Sequence, residues 1–239
     1  MAIAYDNVSP DTVGSAVTSV TSSAWSIAAG ADRILVGFLA SVDASPAAHS
    51  GMKWGGAGGT ALTQVGSTYS AGLYTRLSAW RLIAPTAASQ TLYGNVAASQ
   101  GYLAAAGLSY SGVDQTTPTG TTATNSGSVT NSFGFDATVT IATAVNDVVL
   151  ACFVIVDGNG STPLMTPNGT PASTGRYDNE SAIYSIQAQE VVATGTSTTV
   201  SCNIAPTASN ITGDWGAFAL ILNPVAGAFK PRMTLLGAG

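Results

Sequence analysis

The sequence predicts an all-β protein: an antiparallel β-sandwich, jelly-roll-like, over residues 1–224, with an extended C-terminal arm over residues 225–239. Three observations predict it. Short β-branched and aromatic runs recur along the chain, bounded by Gly, Pro, Asn and Asp. No window sustains an apolar i, i+3, i+4, i+7 stripe between recognisable caps. Hydrophobic residues make up 46% of the 239 positions and charged residues only 8%, against about 25% charged in an ordinary soluble domain. Disorder needs the opposite balance, and a chain of this length can build its core without metal or disulfide staples.

In chain order the strands are predicted over residues 17–28, 33–42, 73–83, 91–96, 102–110, 137–142, 148–156, 182–192, 198–204 and 216–222. Turn clusters separate them, such as Gly55-Gly56-Ala57-Gly58-Gly59 and Asp157-Gly158-Asn159-Gly160. Residues 73–83 mix apolar and polar positions, so this strand should have one wet face. Residues 148–156 are apolar throughout and want cover on both faces; a neighbouring subunit is the expected cover for the second. A weak internal echo links residues 31–43 with residues 146–157: an acidic turn, a buried strand, a second acidic turn. Residues 73–85 and 214–224 echo more faintly. The pattern suits two related halves of one sandwich. Pro224 cannot donate to a ladder and closes the folded unit.

Charge excludes some functions. The net charge is −5, with seven basic residues in all. Nucleic-acid binding needs a basic stripe to meet phosphate, and none is present; an anionic membrane surface is disfavoured for the same reason. The longest apolar run, residues 148–156, is too short to cross a bilayer as a helix. Residues 1–6 lack the basic and apolar regions of a signal peptide. Synthesis in a cytosol then disfavours a Cys152–Cys202 bridge, and Cys152 reads as a buried free thiol.

Reactive chemistry is thinly represented. His49 is the sole histidine and reads as a solvated loop residue; no Gly-x-Ser-x-Gly elbow accompanies it. A strand-core cysteine is a poor nucleophile, because burial raises its pKa. No Cys/His spacing suits zinc, and Asp157-Gly-Asn-Gly-Ser161 and Arg176-Tyr-Asp-Asn-Glu180 read as turn residues more readily than as calcium ligands. Glu180 and Glu190 are the only glutamates and, on one strand, would lie far apart for glycoside hydrolysis. The expectation is no catalytic residue, no metal and no cofactor. The glycines around Lys53 match no phosphate cradle, and Trp54 is expected to pack against the sheet edge at a mobile hairpin tip. Trp25, Trp54, Tyr69, Tyr74, Trp80 and Tyr177 are the aromatic residues that could build a sugar platform if exposed. Trp54 and Tyr69 are the preferred glycan contacts.

Several blocks carry a resemblance. Residues 31–38, 61–66 and 77–82 do so, as do Leu108-Ser-Tyr-Ser-Gly-Val-Asp-Gln-Thr-Thr-Pro118, residues 146–150 and Trp215-Gly-Ala-Phe-Ala-Leu220. Over residues 17–224 the chain resembles a β-sandwich domain family found in bacteriophage virion proteins and bacterial extracellular proteins. The resemblance implies a fold and a setting and transfers no catalytic residue. The missing signal peptide and the added arm favour the phage side: a virion protein made in the host cytoplasm, with an extracellular adhesin as the alternative. The expected partners are other copies of the chain, as a trimer, and other virion proteins. In the arm, Phe229, Met233, Leu235 and Leu236 are the expected apolar anchors, with Lys230 and Arg232 meeting acidic partners.

Overall fold

The computed structural model describes residues 2–181, 183–207 and 210–225. The predicted arm, with Phe229, Lys230, Arg232, Met233, Leu235 and Leu236, lies outside the described residues. The described chain is a succession of antiparallel strands: β1 (Ala4–Val8), β2 (Val13–Thr21), β3 (Trp25–Ser26), β4 (Ile34–Val42), β5 (His49–Trp54), β6 (Thr60–Ala61), β7 (Thr63–Ala71), β8 (Thr75–Ile83), β9 (Ser89–Gln90), β10 (Leu92–Ser111), β11 (Thr119–Ser132), β12 (Phe135–Ala142), β13 (Val148–Val156), β14 (Pro163–Asn168), β15 (Thr174–Glu180), β16 (Tyr184–Val192), β17 (Ser197–Pro206) and β18 (Ile211–Leu222). The predicted sandwich class is what the chain adopts.

The pairings trace one strand path twice. In the first unit, β1 and β4 flank the second half of β10, and β8 and β7 follow β4; β2 and β5 flank its first half. In the second unit, β11 and β13 flank β18, and β16 and β15 follow β13; β12 and β14 flank β17. Matching the two equates β1 with β11, β2 with β12, β4 with β13, β5 with β14, β7 with β15 and β8 with β16. The two halves of β10 then match β17 and β18. Each unit has a five-strand layer and an outer layer of three matched strands, to which the first unit adds the short β6 beside β5, wound as a jelly roll winds its two Greek keys. In the first unit the seventh and eighth strands are one continuous β10, which carries its sheet around a bend at the irregularity between Asn95 and Gln100. In the second unit β17 stops at Pro206, and the two layers are separate sheets.

Local hydrogen bonds repeat as well. Asp43 and Asp157 close the central strands β4 and β13. Asp43 N donates to Tyr74 O (3.0 Å) and Asp157 N to Ile183 O (2.7 Å), each just ahead of the sixth strand of its unit. Each carboxylate accepts from the amide two residues on: Ser45 N to Asp43 Oδ1 at 3.1 Å, Asn159 N to Asp157 Oδ1 at 3.0 Å. Each also reaches the approach to the last strand, from Gly101 N (2.7 Å) and Thr212 N (3.0 Å). At the other end of the central strands, Asp32 (φ +54°) and Asn146 (φ +73°) are both left-handed, a conformation that Asp and Asn tolerate better than other side chains.

Four layers enclose three cores. The five-strand layers pack against each other through Val36, Phe38, Leu108, Leu150, Cys152, Val154, Ile186, Phe218 and Leu220, among others. The alternate face of the second unit's inner layer, with Val149, Phe153, Ile155 and Ile221, meets Val139, Ile141, Val200 and Ile204 of its own outer layer. The corresponding face of the first unit, with Leu35, Leu39 and Leu103, meets Met52, Trp54, Leu92 and Trp25. At about 25 cal/mol per Å² of apolar surface withdrawn from water, such burial dominates the stability of the fold. At Gly216 the two units come so close that a Cβ there would sit 2.2 Å from Ala71 Cβ.

Several expectations are corrected. The second face of residues 148–156 is covered by the chain's own β12-β17-β14 sheet, because the protein has a fourth layer; it needs no neighbouring subunit. The described residues up to Pro224 form two sandwich-like units that share an inner core, the two related halves suggested by the echo of residues 31–43 with residues 146–157. The faint echo of residues 73–85 with 214–224 is not positional, since β8 matches β16 and β18 matches the second half of β10. Residues 17–28 break into β2 and β3, and residues 91–96 and 102–110 join in β10.

Candidate functional surface

His49 lies on β5 and is buried, at 9% exposure, where a solvated loop residue was expected. Its neighbours Met52 and Trp54 face the same core and draw the segment into the sheet. The imidazole is held between two hydroxyls: Nε2 to Ser41 Oγ at 3.0 Å and Nδ1 to Ser78 Oγ at 2.6 Å. Trp80 Nε1 donates to the same Ser78 Oγ at 2.8 Å, so Ser78 accepts from the indole and its own proton is free to go to Nδ1. Burial, helped by Arg76, pushes the imidazole pKa down to about 3, and the ring is neutral at physiological pH. Both ring nitrogens are engaged by hydroxyls in this packed polar knot. A base needs a proton donor in reach and an acid to steady its charged form, and the bonding partners of His49 supply no carboxylate.

Trp54 is 2% exposed. Its ring meets Trp25 edge-on, with centroids 5.0 Å apart, and a sugar cannot stack on it in this fold. The glycine-rich turn that follows it is a tight loop between β5 and β6; the indole points inward from the strand, because alternation on β5 places residues 52 and 54 on the core side. Tyr69 is half-buried, with its hydroxyl donating to Ser126 Oγ at 2.8 Å. Trp25, Trp80 and Tyr177 are buried. Tyr74, at the tip of the β7–β8 hairpin, is 44% exposed and lines a cavity of about 350 Å³ with Val156, Gly158, Thr212 and Gly213.

Two charged side chains, Arg176 and Glu190, take structural roles at the seam between the units. Glu190 Oε2 accepts from Arg176 Nε at 3.1 Å and from Tyr110 Oη at 2.9 Å. The Arg176 guanidinium lies 3.9 Å over the Tyr5 ring, a cation–π contact. Tyr5 and Tyr110 belong to the first unit, Arg176 and Glu190 to the second, so the cluster staples one to the other. Burial, with Glu190 beside it, pushes the Tyr110 hydroxyl well above its usual range. Glu180 accepts from Met165 N at 2.9 Å and lies on β15, a different strand from Glu190. Asp178, also on β15, is raised to about 7 by desolvation and by the Glu180 and Asp11 carboxylates.

Cys152 and Cys202 are free and buried, and their thiols belong to different cores. Desolvation raises both, with Cys152 well above the usual thiol range. Cys202 Sγ donates to Gln187 Oε1 at 3.1 Å. Among the described residues no group of three or more His, Cys, Asp or Glu is placed to hold a metal ion, and no helix is long and apolar enough to cross a membrane. β11, at the edge of its sheet, carries no ionisable residue along Thr119–Ser132 and is rich in Ser and Thr. Compared with known proteins, the chain matches no family model, no curated protein and no solved structure.

Proposed function

We propose that the protein is a non-enzymatic structural component of a bacteriophage virion, exposed on the head or tail, that assembles through its sheet surfaces and the segment beyond Val225. The observation that carries the reading is the doubled jelly-roll path. Jelly rolls serve as shell and lectin domains, and the inference is one of fold analogy. The surface chemistry fits: outer strands rich in Ser and Thr pair by shape and backbone hydrogen bonds, where isolated ion pairs would add little. Copies of the same chain, as a cyclic trimer, and other virion proteins are the proposed partners, with synthesis in the host cytoplasm. Deleting residues 225–239 should leave the circular dichroism spectrum unchanged and lower the amount of protein in purified particles, measured by mass spectrometry, by an order of magnitude or more. Normal incorporation of the shortened chain would defeat the reading.

A second reading, a glycan- or receptor-binding module, is favoured by the exposed Tyr74 on the cavity between the hairpin tips. An aromatic ring beside a cleft is the usual platform for the apolar face of a sugar. A glycan array should then show binding by the wild-type protein and a loss of at least tenfold for Tyr74→Ala, the equivalent of about 1.4 kcal/mol. An array without a wild-type signal ends this reading.

A further inference from the structure

β1 enters and β18 leaves at one end of the molecule, and an apolar groove lies there. Ala2, Ile3, Asn146, Val148, Val192 and Pro224 line its volume of about 160 Å³, the scale of one large side chain. The rim is apolar too: Val192 is 48% exposed and Val145 59%. Apolar side chains gathered around a concave site mark a surface that something covers.

The chain itself identifies the occupant. Pro224 forms part of the wall, and the bond from Val225 N to Gly112 O, at 3.1 Å, anchors the chain at the groove's edge. The next residues are Ala226, Gly227 and Ala228, small enough to turn back, and then Phe229. Four residues of extended chain reach about 13 Å, enough to return to a site whose wall is Pro224. We propose that this groove seats the chain's own residues 226–239, with the Phe229 side chain in the cavity. The free molecule thus stores its assembly segment on its own surface, and a partner must compete for it.

Val192→Cys and Phe229→Cys, introduced together in the full chain, test this under mild oxidation; the native Cys152 and Cys202 are buried. The expected result is an intrachain disulfide in most molecules, identified by peptide mass mapping. The pair Leu164→Cys with Phe229→Cys, whose first member lies on the outer layer of the second unit, should stay reduced. Failure of the first pair to close, or equal closure of both, overturns the proposal. A disulfide between two chains overturns it in favour of a second copy as the occupant. Phe229→Asp alone should raise the fluorescence of an apolar dye severalfold by uncovering the groove, and unchanged fluorescence counts against it. Neither readout involves a particle, so the virion reading stands or falls separately.

Discussion

The imidazole of His49 is held between the hydroxyls of Ser41 and Ser78 on a strand of six residues. Asp43, Ser45, Pro46 and the glycines from Gly51 onward all signal turns, so a loop was the natural reading. The structure instead uses the short stretch His49–Trp54 as the fourth strand of a jelly roll, and the imidazole fills a polar gap between Ser41 and Ser78. Trp54 was misread for the same reason: the alternation that points it inward spans too few residues to stand out against the glycines. The imidazole has a measurable consequence. Its folded pKa, about 3, lies below the unfolded value of about 6.5. The unfolded state therefore binds the extra proton between these values, and stability falls as the pH is lowered from about 6.5 toward 3. At pH 4 the loss from this residue is on the order of 3 kcal/mol, at about 1.4 kcal/mol per pH unit. Nitrogen-15 spectra of the imidazole should show a neutral ring down to pH 4, and a midpoint near 6.5 in the folded protein would refute the buried assignment.

At the scale of elements, the central strands were the most legible. Residues 34–42, apolar but for Ser41, and the wholly apolar residues 148–156 are bracketed by acidic turns, and both are buried strands at matched places. Continuous apolarity means cover on two faces; the sequence does not say whose atoms supply the cover, and here the chain supplies its own. The strands that escaped notice are outer or edge strands. β11 is nearly all Ser, Thr, Gly and Asn, β14 begins and nearly ends with Pro, and β15 carries Gly, Arg and Asp in its middle; one wet side and a ladder on the other ask for little hydrophobicity. The self-covered β13 can be tested at Phe153, which is fully buried in the core between the second unit's layers. Phe153→Ala should cost about 3–5 kcal/mol of folding stability, read as a lower urea midpoint. Were that face a subunit contact, the mutation would instead weaken association and leave the midpoint of the monomer in place.

For the whole molecule, the face-to-face packing of the five-strand layers makes the two units mutually dependent. Each would expose Val36, Phe38 and Leu108, or Leu150, Val154 and Phe218, if it stood alone. Residues 1–113 expressed by themselves should bind apolar dyes strongly and aggregate on size-exclusion chromatography, while the full chain unfolds in a single calorimetric transition. A soluble, monodisperse fragment would show that the units are independent. The sequence hinted at the duplication through one pair of strands only, because the repeat is kept in the path and the turn hydrogen bonds while the side chains have diverged.

The alignment of the two units also gives the molecule a polarity. Ala2, Ser111, Asn146 and Val225 gather at one pole, and the Tyr74 hairpin tip and the Asp157 turn stand at the opposite pole. Any scaffold that grips the polypeptide just past Val225 therefore holds it like a peg in a socket. The far pole is then presented outward in every copy, and changes in its loops would alter what the outside world meets without disturbing the grip.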